Sequence, residues 1–121
     1  MAAPVVHFEI MGGKGRELET FYGELFGWKI NSNNPMQYGI VETGGGQEGI
    51  NGGVGPAQDG NRRVSVYVQV EDLQATLDRA ERLGGKTILP PSEVPSGPKL
   101  AMFADPAGNI TGLLAGKVVG Q

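Results

Sequence analysis

The sequence predicts an α+β fold made of two tandem βαβββ modules, at about residues 4–55 and 62–116 of a single domain. Three observations support this prediction. A strand-like alternation followed by a helix-like apolar stripe occurs twice in the same order. The stretch LAMFADPAGNITG, residues 100–112, has the pattern of a hairpin. The 21 glycines in 121 residues favour strands joined by turns over a helical bundle.

The first module begins with a strand and a helix. Residues 5–10 alternate like a half-buried strand, with His7 and Glu9 on its polar face. After a break at residues 12–15, four apolar residues recur at helical spacing and are expected to face a core: Leu18, Phe21, Tyr22 and Leu25. Gly27 is expected to end this helix, because glycine is favoured just past a helix end.

Three short strands are predicted for the rest of this module, at residues 28–30, 37–42 and 48–54. A polar turn at residues 31–35 separates the first two, and a glycine loop at residues 43–47 separates the last two. The last strand is weak by propensity, because glycine costs entropy and offers no side chain to pack.

The second module repeats this order after a polar linker at residues 55–61. Residues 64–70 alternate, with valines on one face and three polar residues on the other: Ser65, Tyr67 and Gln69. Asp72 is a good N-cap for a helix whose apolar stripe is Leu73, Leu77, Ala80 and Leu83. Gly84 is expected to end that helix.

One more strand and the hairpin complete the second module. The strand is predicted at residues 86–89, and residues 90–98 form a proline-rich loop that is too rigid for a sheet interior. The hairpin at residues 100–112 turns where Pro106 fixes φ for a turn and Gly108 accepts a positive φ.

The composition excludes several classes of protein. No cysteine is present, so the chain has no disulfide framework, no thiolate zinc site and no cysteine nucleophile. A net charge of −3 with scattered cations argues against a nucleic-acid partner. Residues 1–4 do not begin a signal-peptide pattern, and no apolar run approaches the roughly 18 residues that span a bilayer. We therefore expect a cytoplasmic protein without a membrane partner.

A period of about 58 residues relates the two halves, since residues 6–10 match 64–68 and residues 50–52 match 110–112. In each half, one helix would cover one face of a mainly antiparallel sheet and leave the polar face uncovered. If the halves pair edge to edge and curl, they form a curved mixed sheet around a cavity.

Six motifs occur in an order that is typical of one superfamily: HFEI (7–10), FYGELFGW (21–28), GINGG (49–53), YVQVEDL (67–73), LGGK (83–86) and FADPAGN (103–109). By these motifs the chain resembles the vicinal oxygen chelate superfamily, which includes glyoxalase I, bleomycin resistance proteins and extradiol dioxygenases. It looks most like the branch related to lactoylglutathione lyase. The resemblance implies the glyoxalase/bleomycin resistance fold and a homodimer.

The resemblance also implies where a metal would bind. Metal-dependent members hold one divalent ion with a His or Gln on the first strand of each module and a Glu on the last strand. The matching positions here are His7, Ser65, Gly52 and Gly112. Only His7 could bind a metal firmly, and one imidazole does not make a catalytic site. We therefore predict no intact metal site and no cofactor, although Glu9 could contribute to a shifted one.

His7 and Glu9 are the candidate catalytic residues. His7 is the only histidine, so any imidazole-dependent step depends on it. Alternatively, it is a hydrogen-bonded residue that remains from a metal site that has been lost. Glu9 could transfer a proton if it is buried, pair with Arg62 or Arg63, or lie in water.

Six residues are candidates for binding a small-molecule ligand: Trp28, Tyr38, Asn51, Tyr67, Gln69 and Met102. Tyr67 and Gln69 offer a hydroxyl and an amide to orient a polar ligand, whereas the aromatics and Met102 could form apolar walls or simply pack in the core. Residues 13–16, Gly-Lys-Gly-Arg, are like an anion-binding helix start, but a plain loop is the simpler interpretation.

Three functions fit this pattern. The first is a metal-free member of the superfamily that binds a small organic ligand in a cavity. The second is a lyase or isomerase in which His7 or Glu9 moves a proton. The third is an antibiotic-sequestering protein like the bleomycin resistance proteins, which the mild acidity of the chain permits.

Overall fold

The computed structural model describes residues 2–44, 49–57, 60–94 and 97–117. The first half contains β1 (Val5–Met11), α1 (Arg16–Phe26), β2 (Lys29–Asn31), β3 (Gly39–Glu42) and β4 (Gly52–Gly55). The second half contains β5 (Arg63–Val70), α2 (Leu73–Arg82), β6 (Lys86–Glu93), β7 (Lys99–Ala104) and β8 (Ile110–Ala115). The α+β class and the repeated order of one strand, one helix and three strands are confirmed.

Neither helix within the described ranges has the length and apolar character needed to cross a membrane.

Two compact units divide the chain. Residues 7–65 form the first, which we call the N-unit, and residues 66–121 with residues 1–6 form the second, the C-unit. The first residues of the chain contact the C-unit, where the backbone N–H of Gln69 donates a hydrogen bond to the Pro4 carbonyl over 2.9 Å.

The strands of the N-unit form a mixed sheet. Strand β1 runs parallel to β4, with Phe8 opposite Gly52, whereas β3 is antiparallel to both β4 and β2. Val41 and Val54 are fully buried in this unit. Helix α1 contacts β4 and β2 and ends at Gly27, whose φ of 73° confirms the predicted glycine C-cap.

The predicted apolar stripe of α1 is wrong at two positions. Phe21 and Leu25 are each 58% exposed rather than buried in a core. Strand β4, which the helix contacts, is Gly-Gly-Val-Gly and offers only one side chain to pack against. Tyr22, another member of the predicted stripe, does make an apolar contact, because it stacks on Trp28 with the ring centroids 5.6 Å apart.

Several predicted boundaries in the first module differ from the structure. Strand β3 begins at Gly39 rather than at residue 37, because Gln37 lies in a turn with a φ of 53°. Strand β4 begins at Gly52, and residues 45–48 of the predicted glycine loop and strand lie outside the described residues. Gly55, the first residue of the predicted linker, belongs to β4 instead. Residues 58–59 of that linker also lie outside the described ranges.

The C-unit contains the larger apolar core. Strand β5 runs parallel to β8 with Tyr67 opposite Gly112, and β7 is antiparallel to both β8 and β6. Its buried cluster consists of Leu73, Leu77, Ala101 and Leu113. Val68 and Val70 pack against this cluster, as predicted for the valine face of β5.

The valine face and the helix stripe are both shorter than predicted. Val64 and Val66 are exposed because the core beneath α2 begins only at Val68, whereas Ser65 and Tyr67 of the polar face are buried. Leu83 is 69% exposed because it lies one residue beyond the last residue of α2. The predicted N-cap is confirmed, since Asp72 accepts a hydrogen bond from the Ala75 amide over 3.0 Å.

The loop predicted at residues 90–98 is wrong for its first part. Strand β6 continues through Pro90 and Pro91 to Glu93, and residues 95–96 lie outside the described ranges. Among the described residues, strand β6 pairs with β7 only, and its register shifts between Thr87 and Ser92. Prolines are tolerated at such an irregular edge because they interrupt no ladder on the second side.

The hairpin between β7 and β8 is confirmed. Asp105 Oδ1 accepts hydrogen bonds from the Ala107 and Asn109 amides, each over 2.9 Å, and Gly108 has a φ of 95°. The hydrogen bond from the Asn109 side chain, with those from the backbone, lowers the pKa of Asp105.

Replacing Leu77 with alanine should destabilise the protein by about 2–5 kcal/mol, because it removes a buried side chain and leaves a cavity. The matched change Leu83→Ala in the same stripe should cost about 0.5 kcal/mol or less, since Leu83 is largely exposed. Urea unfolding of both variants measures the difference. Equal losses would show that Leu83 belongs to the core after all.

Candidate functional site

Four side chains of the N-unit form a continuous hydrogen-bonded series, which we call the Glu9 network. Arg63 Nη2 donates to Glu9 Oε1 over 3.0 Å, and the Tyr38 hydroxyl donates to Glu9 Oε2 over 2.9 Å. The Tyr38 hydroxyl also lies 2.8 Å from His7 Nε2. Strand β1 supplies His7 and Glu9, β5 supplies Arg63, and Tyr38 immediately precedes β3.

The backbone of Tyr38 is held by one side chain. Asn34 Oδ1 accepts from the Tyr38 amide over 2.9 Å, and Asn34 Nδ2 donates to the Tyr38 carbonyl over 2.7 Å. The phenol then passes over Gly53 of β4, where a Cβ would overlap the Tyr38 hydroxyl. Glycine at position 53 therefore leaves the space through which Tyr38 reaches Glu9.

The hydrogens of the network follow from the chemistry of its groups. A carboxylate only accepts hydrogen bonds, so the single hydrogen of the Tyr38 hydroxyl points to Glu9. The contact between His7 Nε2 and the Tyr38 oxygen then requires a hydrogen on Nε2. His7 is thus joined to the Glu9 carboxylate through one phenol, an arrangement that orients the imidazole and can stabilise a positive charge on it.

Burial and charge act on His7 in opposite directions. Partial burial lowers the pKa of His7 below its ordinary value of 6.5, and the negative charge of Glu9 opposes this by raising it. Burial is the larger effect, so the imidazole is neutral at neutral pH. Glu9 itself is only 6% exposed and forms an ion pair with Arg63, so it does not lie in water. Its role in proton transfer stays a prediction.

The four positions at which related proteins would hold a metal do not fit one here. Gly52 and Gly112 carry no ligand atom, and a Cβ at either would overlap the ring of Phe8 or Tyr67. Across the described ranges, no three His, Cys, Asp or Glu residues form a group that could hold a metal ion.

The structure brings together three of the predicted site residues, His7, Glu9 and Tyr38. Trp28 lies in an aromatic cluster with Phe8, Tyr22 and Phe26 in the same unit. Asn51 accepts a hydrogen bond from the Thr43 amide and so braces a loop.

The other three predicted ligand-binding residues belong to the C-unit. Tyr67 is buried over Gly112, and Gln69 Nε2 donates to the Lys117 carbonyl over 2.8 Å. Met102 is half-buried in β7 opposite Gly112. Their role in binding a ligand stays a prediction.

Sequence reasoning missed two residues of the site, Asn34 and Gly53. Asn34 lies in a polar turn where asparagine is common for local reasons, so its sequence context carries no signal of a tertiary role. Gly53 is one glycine in a glycine-rich stretch. Only the contact with Tyr38, 15 positions away in the sequence, distinguishes it.

Residues 13–114 match a family model described as a glyoxalase-like domain. The chain belongs to the glyoxalase-like domain family. No curated protein matches this sequence.

Solved structures show the same fold for this glyoxalase-like chain. A hypothetical protein from Bacillus halodurans C-125 is 13% identical with a TM-score of 0.71, and the match covers 100% of this chain and 99% of that one. A glyoxalase/bleomycin resistance protein/dioxygenase superfamily member from Vibrio splendidus 12B01 is 14% identical with a TM-score of 0.64, over 95% and 100% of the two chains.

Methylmalonyl-CoA epimerase from Mycobacterium tuberculosis is 12% identical with a TM-score of 0.66, and the match covers 94% of this chain and 88% of that one. At these identities the likeness shows the fold alone. The predicted superfamily and the glyoxalase/bleomycin resistance fold are confirmed.

The change Gly53→Ala should displace the Tyr38 phenol and cost about 1–3 kcal/mol of stability through overpacking. Gly55→Ala in the same strand is the control, because its Cβ would lie at ordinary contact distances, 3.4 Å from the flexible end of Met11 and 3.5 Å from the Tyr38 ring, and would displace neither. The proton NMR signal of the His7 ring should move in the first variant only. The same signal in both variants would show that Tyr38 does not depend on Gly53.

The pKa of His7 can be measured directly, because the chain has only one histidine and its ring signals need no separation from others. An NMR titration should give a midpoint below 6.5, since burial disfavours the cation. A midpoint at or above 6.5 would contradict this.

The same lowered pKa makes stability depend on pH. The unfolded chain takes up a proton at His7 near pH 6.5, whereas the folded protein does so only at lower pH. The contribution of His7 is therefore fully present above pH 6.5 and is lost as the pH falls towards the folded pKa. The loss of unfolding free energy between pH 7 and pH 5 should be smaller in His7→Asn than in the unchanged protein.

Proposed function

We propose that this protein binds a small organic molecule at the His7 end of the Glu9 network and that His7 transfers a proton to or from that molecule. The reaction class is an isomerase, epimerase or lyase that acts on a carbon next to a carbonyl group. No step of the proposal requires a metal ion, and the donor set at the family's metal positions does not fit one.

The observation that carries this proposal is the series of hydrogen bonds from Arg63 through Glu9 and Tyr38 to His7. A neutral imidazole is a suitable base near neutral pH. When it takes a proton from a carbon acid it becomes a cation, and Tyr38 and the Glu9 carboxylate stabilise that cation through Nε2. Arg63 donates to the Glu9 carboxylate and holds it in place, so Glu9 positions the base rather than reacting itself.

The structural comparisons support the reaction class without assigning it. One neighbour of this fold is methylmalonyl-CoA epimerase, and an epimerase inverts a carbon centre. Inversion next to a carbonyl proceeds by removing and returning a proton, which is the step that the Glu9 network is suited to. The fold therefore supports such chemistry in at least one relative.

Ligand binding without turnover is the second candidate. It is favoured by the position of Glu9, whose two oxygens are already engaged by Arg63 and Tyr38. Antibiotic sequestration, a closer relation to lactoylglutathione lyase, the homodimer and the cytoplasmic location remain predictions from the resemblance and the composition.

Replacing Tyr38 with phenylalanine tests the proposal, because it removes one oxygen and separates His7 from Glu9. The assay is incubation in D₂O with 2-methylmalonyl thioesters and with thiol adducts of 2-oxoaldehydes, followed by NMR for loss of the hydrogen on the α-carbon. We expect exchange that slows about tenfold or more in Tyr38→Phe and about 10²-fold or more in His7→Asn.

Tyr22→Phe is the matched control, since Tyr22 stacks on Trp28 away from the network. It should exchange the α-hydrogen at the unchanged rate. Exchange that is unaffected by His7→Asn would contradict proton transfer by His7. A melting temperature raised by a compound of the panel that shows no exchange would favour binding alone.

A further inference from the structure

A cavity of about 340 Å³ lies in the N-unit beside the start of α1 and the start of β5. Its apolar lining includes Ile10, Met11 and Leu18. This volume is within the range of small-molecule sites in proteins, about 300–1,000 Å³. The apolar part suits the carbon skeleton of an organic ligand.

Positive charge dominates the polar part of the same cavity. Lys14, Arg62 and Arg63 line it, against a single carboxylate from Glu17. Among the described residues, neither Lys14 nor Arg62 takes part in an ion pair. The first turn of α1 carries Glu17 and Glu19, so the helix start does not attract an anion. The attraction comes mainly from Lys14 and Arg62, because the charge of Arg63 is largely balanced by Glu9.

Arg63 connects this cavity to the Glu9 network. Its Nη2 donates to Glu9, whereas its Nε is buried and has no hydrogen-bond partner among the described residues. A buried N–H without an acceptor costs free energy, and a small movement of the guanidinium toward an oxyanion in the cavity would supply that acceptor. The same guanidinium would then hold both the ligand and the carboxylate that positions Tyr38 and His7.

We propose that this cavity binds the carboxylate or phosphoryl group of an organic ligand. Lys14 and Arg62 supply the charge, Arg63 supplies the directed hydrogen bond, and the apolar lining holds the adjoining carbons. The proposal assigns a ligand class to the function proposed above and rests on it for the reacting end of the molecule. Binding of the anion itself requires no turnover, so the two can be tested separately.

Calorimetric titration of the full chain with malonate and with inorganic phosphate, at constant ionic strength, tests the anion site. We expect binding of at least one of them, weakened about tenfold or more in Lys14→Gln and in Arg62→Gln. Preference for malonate would assign a carboxylate, and preference for phosphate would assign a phosphoryl group. Higher salt should weaken binding because the exposed charges are screened.

The matched controls are Lys29→Gln in β2 and Arg82→Gln in α2, which remove the same charges outside the cavity. They should bind as the unchanged protein does. No binding of either anion, or equal weakening by the controls, would overturn the anion site. If neither anion binds but α-hydrogen exchange still depends on His7, the proposed function is supported and the anion site is not. If an anion binds but no α-hydrogen exchange is seen, the anion site is supported and the proposed function is not.

Discussion

A carboxylate that is buried must find its hydrogen bonds inside the protein, and Glu9 is the group on which the rest of this site depends. Each of its two oxygens accepts a hydrogen bond from a different neighbour, one from the guanidinium of Arg63 and the other from the phenol of Tyr38. Leaving either oxygen without a partner would cost more than the net gain from a single hydrogen bond. That constraint explains why Asn34 holds the backbone of Tyr38 and why position 53 is glycine.

Sequence patterns predicted the elements well where local chemistry decides them. The hairpin at Asp105–Gly108 and the N-cap at Asp72 depend on hydrogen bonds within a few residues, so their sequences contain the whole signal. Errors arose where packing decides instead. Phe21 and Leu25 have the spacing of a buried stripe, but the strand next to their helix has too few side chains to bury them.

The site was predictable only in part for the same reason. The alternation in β1 placed His7 and Glu9 on one face, and the candidate partners of Glu9 included Arg63. The choice of Arg63, and the approach of Tyr38 over Gly53, are tertiary contacts between residues 15 to 54 positions apart, which no local pattern encodes. The cavity is a further case, because its cations come from two distant segments, residues 14 and 62–63.

The most direct measurement of the central claim is a double-mutant cycle between Glu9 and Arg63. Unfolding free energies of Glu9→Gln, Arg63→Gln and the double variant give the coupling between the two side chains. Because each change alone leaves a largely buried partner uncompensated, we predict that the two losses are not additive, with a coupling of about 2 kcal/mol or more. Losses that add within about 0.5 kcal/mol would show that Glu9 does not depend on Arg63 and would contradict this account of the site.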